Sequence, residues 1–173
     1  MPCGADFLFS GVSVIIAIGG ISQSGKSTLA HWLSKQLGDC PVLSQDDHVM
    51  PKDQIPKVRD RVDWECPESI DWTAWASTIQ QHQHHDYLII EGLMVFWQEP
   101  VIPDFRFWLG LDKTTFLERR RKETRWGPEP EWFLEHVWQS FIRYGQAPTD
   151  ETLKQYHALS PLQYGEILSY IRH

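Results

Sequence analysis

A continuous β-branched run followed at once by a glycine-rich segment constrains the fold of this chain more than any other feature. Residues 12–18 read VSVIIAI, the pattern of a strand buried on both faces of a parallel sheet. Residues 20–27 read GISQSGKS and satisfy G-x-x-x-x-G-K-[ST]. Helical spacing of apolar residues follows over residues 27–37. This order of strand, glycine-rich turn and helix predicts a phosphate-binding loop, or P-loop.

The rest of the chain alternates strand and helix patterns in the same way. Strands are predicted over residues 41–44, 87–90 and 105–111, with a fifth near 156–159. Helices are predicted over residues 70–81, from a capping box at 115–118, from Pro130 to Ile142 and from about Pro161. We expect an α/β P-loop NTPase fold of the nucleoside/nucleotide-kinase type, with a parallel sheet of four to five strands flanked by helices. Residues 1–173 should form a single P-loop kinase domain in which residues 1–11 are a loose leader.

Composition excludes several classes of protein. A formal net charge of −7 offers no positive surface for a nucleic acid, and the apolar run at 12–18 is too short to cross a bilayer. The three cysteines, Cys3, Cys40 and Cys66, have no spacing typical of a metal site or a disulfide framework. We expect free thiols in a reducing compartment and therefore a cytoplasmic protein. The oligomeric state is not determined by these features, and a monomer is compatible with them.

Three groups of residues that follow predicted strands could carry phosphoryl-transfer chemistry. Lys26 can supply charge to the β- and γ-phosphates of a nucleotide, and the Ser27 hydroxyl can bind Mg²⁺. Asp46 and Asp47 follow the second strand, so they should lie at the sheet edge that faces the phosphates. One of the two could orient towards Mg²⁺ while the other accepts a proton from the attacking hydroxyl. Glu91 follows the third strand and could hold a metal-bound water or position the substrate, or it could be an ordinary strand-ending carboxylate.

A run of cations lies on the helix predicted near residue 115. Arg119, Arg120, Arg121 and Lys122 are consecutive, and Arg125 follows them. Such runs are usually solvated faces, but a triphosphate needs cations as its charge redistributes in the transition state. Gly127 and the prolines after it can act as a hinge. We therefore expect a small basic lid over about residues 114–128.

Several motifs together resemble the nicotinamide riboside kinases, which belong to the uridine-kinase-like group of P-loop kinases. The motifs are GGISQSGKSTLA, LSQDD, LIIEG, RRR with a following arginine, and HVW, spread over roughly residues 14–145. The P-loop is shared with many families, whereas SQDD and HVW in this order are more specific. The resemblance implies phosphorylation of the 5′-hydroxyl of nicotinamide riboside by ATP and Mg²⁺.

The resemblance also implies site residues. ATP would be bound by Gly20, Ile21, Ser22, Gln23, Ser24, Gly25, Lys26, Ser27, Thr28, Arg120 and Arg125. The metal would be bound by Ser27 and Asp47, with Glu91 acting through water, and the catalytic residues would be Lys26 and the general base Asp46. The substrate would contact Asp46, Asp47, His48, Val49, Trp64, Glu65, Arg121 and Trp126.

Several alternatives stay open at this stage. Asp63 could replace Glu65 at the ribose, and Trp132 could replace Trp126 as the lid aromatic. A kinase for uridine, cytidine or another small metabolite is the alternative function, and a non-catalytic ATP sensor is a further one. A typical GTPase is excluded because the chain contains no asparagine, which the guanine-reading Asn-Lys-x-Asp motif requires.

Overall fold

The computed structural model describes residues 13–173, so the predicted leader, Cys3 and the first residue of the predicted first strand lie outside the described residues. Within residues 13–173 the strands are β1 Val14–Gly20, β2 Val42–Ser44, β3 Lys57–Val58, β4 Arg61–Val62, β5 Tyr87–Gly92, β6 Phe105–Gly110 and β7 Leu153–His157. The α-helices are α1 Lys26–Gln36, α2 Trp72–His82, α3 Lys113–Arg121, α4 Glu131–Tyr144 and α5 Tyr164–Arg172. Short 3₁₀ turns cover Gln45–Asp47, Pro67–Ser69 and Pro161–Gln163.

Five strands form one parallel sheet in the order β2-β5-β1-β6-β7. The register pairs Ile18 of β1 with Glu91 of β5, and the same Glu91 with Ser44 of β2. The carboxyl ends of these three strands therefore meet at one edge of the sheet, where ligands bind in open α/β folds. The parallel α/β architecture confirms the predicted fold class.

Strand β1 is buried on both faces, as its β-branched run predicts. Ile16 and Ile18 pack into a cluster formed with α1 and α5, whereas Ile15 and Ala17 pack on the opposite face, where Trp75 of α2 is completely buried. A third cluster joins β6 to α3 and α4 and includes Ile21 of the glycine-rich segment. Continuous burial of this kind is typical of a central strand in a parallel sheet.

Three local predictions need correction. Helix α3 is capped by Asp112, whose carboxylate accepts a hydrogen bond from the Thr115 amide at 2.9 Å, so the capping box does not begin at Thr115. The fifth sheet strand begins at Leu153 rather than near Tyr156, because pairing with β6 selects a polar edge segment that has no sequence signal of its own. No strand was predicted between residues 44 and 87, yet this segment contains the short antiparallel hairpin of β3 and β4. No helix among residues 13–173 has the length and apolar character that crossing a bilayer requires.

Candidate active site

The glycine-rich segment forms a loop between β1 and α1, as its motif predicts. Gly25 has φ 93° and immediately precedes α1, and a Cβ added there would meet nothing within 4 Å. The space beside it and the uncapped N–H groups of the first turn of α1 can receive a phosphate. The Lys26 ammonium donates to the Ile21 carbonyl at 3.1 Å, so its charge lies inside the loop.

Ser27 meets a buried carboxylate at the base of this loop. Its hydroxyl donates to Glu91 Oε1 at 3.2 Å, and Glu91 is only 5% exposed. A hydroxyl and a carboxylate side by side are oxygen ligands of the kind that Mg²⁺ binds, usually together with phosphate oxygens and waters. Residues 13–173 contain no cluster of three or more His, Cys, Asp or Glu suited to a metal ion. This donor set fits a magnesium ion carried by a nucleotide rather than one caged by protein.

The four predicted residues after β2 face different ways. Asp46 lines the cleft in front of the P-loop and is exposed to it. Asp47 is also exposed but is not among the residues that line the cleft. The His48 ring packs edge-on against Trp75, with centroids 5.0 Å apart, while Val49 lines the cleft. The structure therefore brings Asp46 and Val49 to the P-loop and leaves Asp47 and His48 outside the cleft wall.

A cleft of about 830 Å³ extends from the P-loop towards the β3–β4 hairpin. This volume lies within the range of roughly 300–1,000 Å³ that small-molecule sites occupy. Its walls are formed by Ser22, Gln23, Lys26, Ser27, Gln45, Asp46, Val49, Lys52, Lys57, Asp60, Arg61, Val62, Trp64, Glu65, Ile70, Leu93, Met94, Arg120, Arg125, Trp126, Glu129 and Phe133. Part of the predicted phosphate-binding set and part of the predicted acceptor-binding set therefore line one cavity.

Two tryptophans present aromatic surface to this cleft. Trp64 and Trp126 both line it, with 41% and 64% of their surface exposed. Trp132, the alternative lid aromatic, instead packs beneath the Arg59 guanidinium, which lies 4.4 Å from its ring centroid. Trp132 is absent from the cleft walls in the described structure, so of the two candidates Trp126 is the one that faces the cavity.

Glu65 and Asp63, the two candidates for the ribose contact, have different surroundings. The Asp63 carboxylate accepts hydrogen bonds from His136 Nε2 at 2.8 Å and from the Glu65 amide at 3.2 Å. It therefore stabilises the loop that contains residues 63–65. Glu65 lines the cleft, and burial raises the pKa of its carboxyl to about 7. Arg120 and Lys26 oppose this rise, whereas the Asp46 and Asp63 carboxylates add to it.

Arg120 is buried between α3 and the P-loop. Its Nη1 donates to Ser22 Oγ at 2.7 Å, while Nε and Nη2 donate to the two carboxylate oxygens of Glu129 at 2.7 and 2.9 Å. Both side chains of this ion pair are nearly inaccessible to solvent, with 7% and 8% exposed. Arg120 therefore reaches the phosphate-binding loop, and its contact with ATP stays a prediction.

A second set of contacts joins the predicted lid to the P-loop at its surface. Arg119 Nη1 donates to the Gln23 carbonyl at 3.0 Å, and Gln23 Nε2 donates to Glu123 Oε2 at 2.9 Å. Glu123 also accepts from Arg125 Nη2 at 2.7 Å, and the hydrogen bonds from Arg125 and Gln23 lower the pKa of Glu123 to about 2. Arg125 lines the cleft and lies over Trp126.

Arg121, like Asp47 and His48, is a predicted substrate contact that does not line the cleft. Its guanidinium makes a two-point contact with the Glu131 carboxylate at 2.9 Å on the exposed surface. The role predicted for it stays a prediction.

Several cleft residues escaped the sequence reasoning. Gln45 is buried beside Gly92, and its Oε1 accepts from the Met94 amide at 3.0 Å, which fixes the end of β2 against the loop after β5. Glu129 lies in a proline-rich segment without periodicity. Three cationic residues also line the cleft, namely Lys52 before the β3–β4 hairpin and Lys57 and Arg61 within it. The position between two prolines was the only available signal for Glu129, Gln45 lies within the LSQDD motif without having been assigned a role, and no pattern marked the three cations.

Known proteins with similar sequences are nicotinamide riboside kinases. Mouse nicotinamide riboside kinase 2 is 30% identical over 156 residues, which cover 77% of this chain and 80% of that protein. Human nicotinamide riboside kinase 1 is 28% identical over 158 residues, which cover 80% of this chain and 79% of that protein. No protein-family model matches the chain.

Solved structures show the fold at lower identity. A sugar kinase from Janibacter sp. HTCC2649 superposes with a TM-score of 0.64 at 18% identity, over 92% of this chain and 95% of that chain. Deoxyadenosine kinase from M. mycoides superposes with a TM-score of 0.59 at 15% identity, over 92% of this chain and 100% of that chain. The fold is that of the P-loop kinases, and by its sequence relatives the chain belongs to the nicotinamide riboside kinase family.

Proposed function

We propose that this protein transfers the γ-phosphoryl group of ATP to the 5′-hydroxyl of nicotinamide riboside, giving nicotinamide mononucleotide and ADP. The observation that carries the proposal is the composition of the cleft beside the P-loop. Lys26 of the P-loop, the carboxylate of Asp46 and the aromatic faces of Trp64 and Trp126 line the same cavity. Relatives named nicotinamide riboside kinase support this choice of substrate.

Asp46 is the proposed general base. Its carboxylate stands at the carboxyl edge of the sheet and lines the cleft near the P-loop, where an acceptor hydroxyl would approach the γ-phosphate. As the hydroxyl oxygen bonds to the γ-phosphorus, the bond from that phosphorus to the β,γ-bridging oxygen breaks and ADP leaves. Asp46 takes the hydroxyl proton, so the charge on the attacking oxygen is relieved as the new bond forms.

Positive charge for the phosphates comes from two directions. Lys26 lies within the loop, and Arg120 reaches Ser22 from α3, so the γ-phosphate would lie between them. Ser27 and Glu91 are the residues proposed to hold Mg²⁺, with Glu91 acting directly or through a water molecule. When bound, the ion would supply positive charge that neutralises the charge developing on the phosphates. A role for Asp47 as a ligand requires movement of its exposed side chain towards the cleft.

The acceptor ring is proposed to lie between Trp64 and Trp126. Nicotinamide riboside carries a cationic pyridinium, and tryptophan offers the strongest aromatic face for a cation. Ser69 donates to the Trp64 carbonyl at 2.8 Å, which fixes that part of the loop. Glu65 lines the same end of the cleft and is the proposed ribose contact.

The proposed setting is cytoplasmic, with a small nucleoside-like molecule as the substrate partner. Cys40 and Cys66 are free, buried thiols, which is the usual condition of cysteines in a reducing compartment.

A comparison of acceptors tests the proposal. ADP release should be measured with nicotinamide riboside, its neutral reduced form and uridine, for the wild type and for Trp64→Leu. The wild type should prefer the cationic riboside by about tenfold or more, since two cation–π contacts of roughly 0.5–2 kcal/mol each act on it. Trp64→Leu should cost the cationic substrate more than the two neutral ones, because leucine keeps apolar bulk and removes the π-face.

Trp97→Leu is the matched control, because Trp97 is half exposed but packs on Tyr144 away from the P-loop cleft. Its selectivity should equal that of the wild type. A wild-type preference for uridine would contradict the proposed substrate. Equal losses for all three acceptors in Trp64→Leu would contradict the stacking of the ring.

A further inference from the structure

The pair formed by Arg120 and Glu129 has a geometry that goes beyond an ordinary ion pair. A guanidinium has five N–H groups spread over its edges. Glu129 takes the edge formed by Nε and Nη2 with both of its oxygens, at 2.7 and 2.9 Å. The remaining Nη1 group projects towards the P-loop and donates to Ser22 Oγ at 2.7 Å. Glu129 therefore binds one edge of the guanidinium and leaves the Nη1 edge directed at the phosphate site.

Burial makes this two-point contact between Glu129 and Arg120 rigid. Arg120 and Glu129 are 7% and 8% exposed, whereas the neighbouring pair of Arg121 and Glu131 is 49% and 68% exposed. A two-point contact between a planar guanidinium and a carboxylate restricts the direction of the arginine as well as its distance. In a buried site little water is present to screen or replace that contact.

The position of Glu129 in the chain fits a role in holding Arg120. It lies between Pro128 and Pro130, just before α4, and its two side-chain oxygens both face Arg120. Pro130 directly precedes α4, so the position of Glu129 is fixed by a helix that packs on α3 and on β6. The carboxylate thus couples the arginine on α3 to a fixed point on the body of the protein.

We propose that Glu129 is a positioning residue for phosphoryl transfer, which holds the Arg120 guanidinium in the orientation needed at the γ-phosphate. The inference rests on the proposed function and deepens it. Arg120 contacts the phosphates and Glu129 acts through Arg120. An orientation fixed before ATP binds costs nothing to establish when the phosphates bind or when charge develops on them in the transition state.

The first experiment measures Glu129→Gln in the full chain with nicotinamide riboside and ATP. Glutamine keeps the size of the side chain but removes its charge and turns an NH₂ group towards the arginine. We expect kcat to fall by about tenfold or more while KM for the riboside stays within about twofold, because the acceptor contacts are unchanged. Glu135→Gln is the matched control. Glu135 lies on α4 and pairs with Lys113 of α3 on the exposed surface, so this variant removes the same charge, and its kinetics should equal those of the wild type.

A double-mutant cycle separates positioning from folding. If Glu129 acts through Arg120, Glu129→Gln should change kcat by less than about twofold in an Arg120→Gln background. Additive losses in kcat would overturn the proposal. So would a Glu129→Gln protein whose melting temperature falls while its kcat stays at the wild-type value, since that result describes a purely structural pair.

Glu129→Asp serves if the glutamine variant does not fold. Aspartate keeps the charge but has one methylene less, so the guanidinium should be drawn away from Ser22. We expect a melting temperature near that of the wild type with kcat reduced several-fold, and wild-type kcat in this variant would overturn the proposal.

A readout without an acceptor distinguishes this inference from the proposed function. Binding of Mg·ATP, measured by calorimetry, should weaken by about tenfold in Glu129→Gln relative to both the wild type and Glu135→Gln. If the wild type does not phosphorylate nicotinamide riboside, the proposed function fails, but this difference in ATP affinity still tests Glu129. Equal affinities in all three proteins would overturn the positioning role.

Discussion

Changing the pH across neutrality should switch the charge of Glu65, which lines the acceptor end of the cleft. Burial raises the pKa of its carboxyl from the ordinary 4.5 to about 7. With that pKa, about one-tenth of the molecules carry the carboxylate at pH 6 and about nine-tenths at pH 8. The carboxylate is the form that attracts a cationic riboside and accepts hydrogen bonds from ribose hydroxyls. We therefore expect kcat/KM for nicotinamide riboside to rise about tenfold from pH 6 to pH 8.

The assay is direct chromatographic measurement of nicotinamide mononucleotide at saturating ATP, so that no coupling enzyme adds a pH dependence. Glu65→Gln is the control, because it keeps the shape of the side chain and does not titrate. Groups that titrate elsewhere, including the phosphates of ATP, contribute equally to both proteins. The ratio of the two kcat/KM values should therefore follow the ionisation of Glu65 alone. Parallel pH profiles for the wild type and the variant would refute the reasoning.

The same raised pKa has a consequence for stability. Because the pKa of Glu65 is higher in the folded than in the unfolded chain, its contribution to stability is complete below about pH 4.5 and is lost as the pH rises through about 7. Glu65→Gln should therefore be more stable than the wild type at pH 8, by about 1–3 kcal/mol for a partly exposed group, and the gain should shrink towards pH 4. Urea unfolding at the two pH values measures this difference, and a difference that does not depend on pH would contradict the assigned pKa.

Three further predictions follow from the site. Asp46→Asn should lower kcat by about 10²–10⁴ with little change in ATP affinity, and a near-normal kcat would remove Asp46 as the base. Lys26→Ala and Ser27→Ala should both lower kcat, but high Mg²⁺ should partly rescue only the serine variant, so an equal response in a Mg²⁺ titration would contradict the division of roles. Gly20→Ala should destabilise the protein and weaken ATP binding, because Gly20 has φ 144° and a Cβ there would collide with the Leu109 carbonyl oxygen. A melting temperature and ATP affinity equal to those of the wild type would contradict this.

The centre of the sheet could be predicted from the sequence more fully than its edges. Strand β1 and the P-loop could be located in the sequence because a strand buried on both faces favours a continuous, mostly apolar run, and the P-loop motif has glycines at fixed spacing. The acidic residues Asp46 and Glu91 could be placed at one sheet edge, because the carboxyl ends of parallel strands coincide there. By contrast, β7 is an edge strand of mostly polar residues, and only its register with β6 determines its position.

Side-chain pairing between distant segments was decided by the tertiary structure alone. Trp64 and Trp126 could be named from the family resemblance, but which lid aromatic faces the cleft depends on the packing of Trp132 under Arg59. The sequence shows a run of arginines without distinguishing them, although in the structure Arg120 is buried against the P-loop while Arg121 stays on the surface. The pKa of Glu65 depends in the same way on neighbours far from it along the chain. Local patterns determine backbone conformation because they act over a few residues, whereas burial and charge pairing are set by contacts that exist only after the chain has folded.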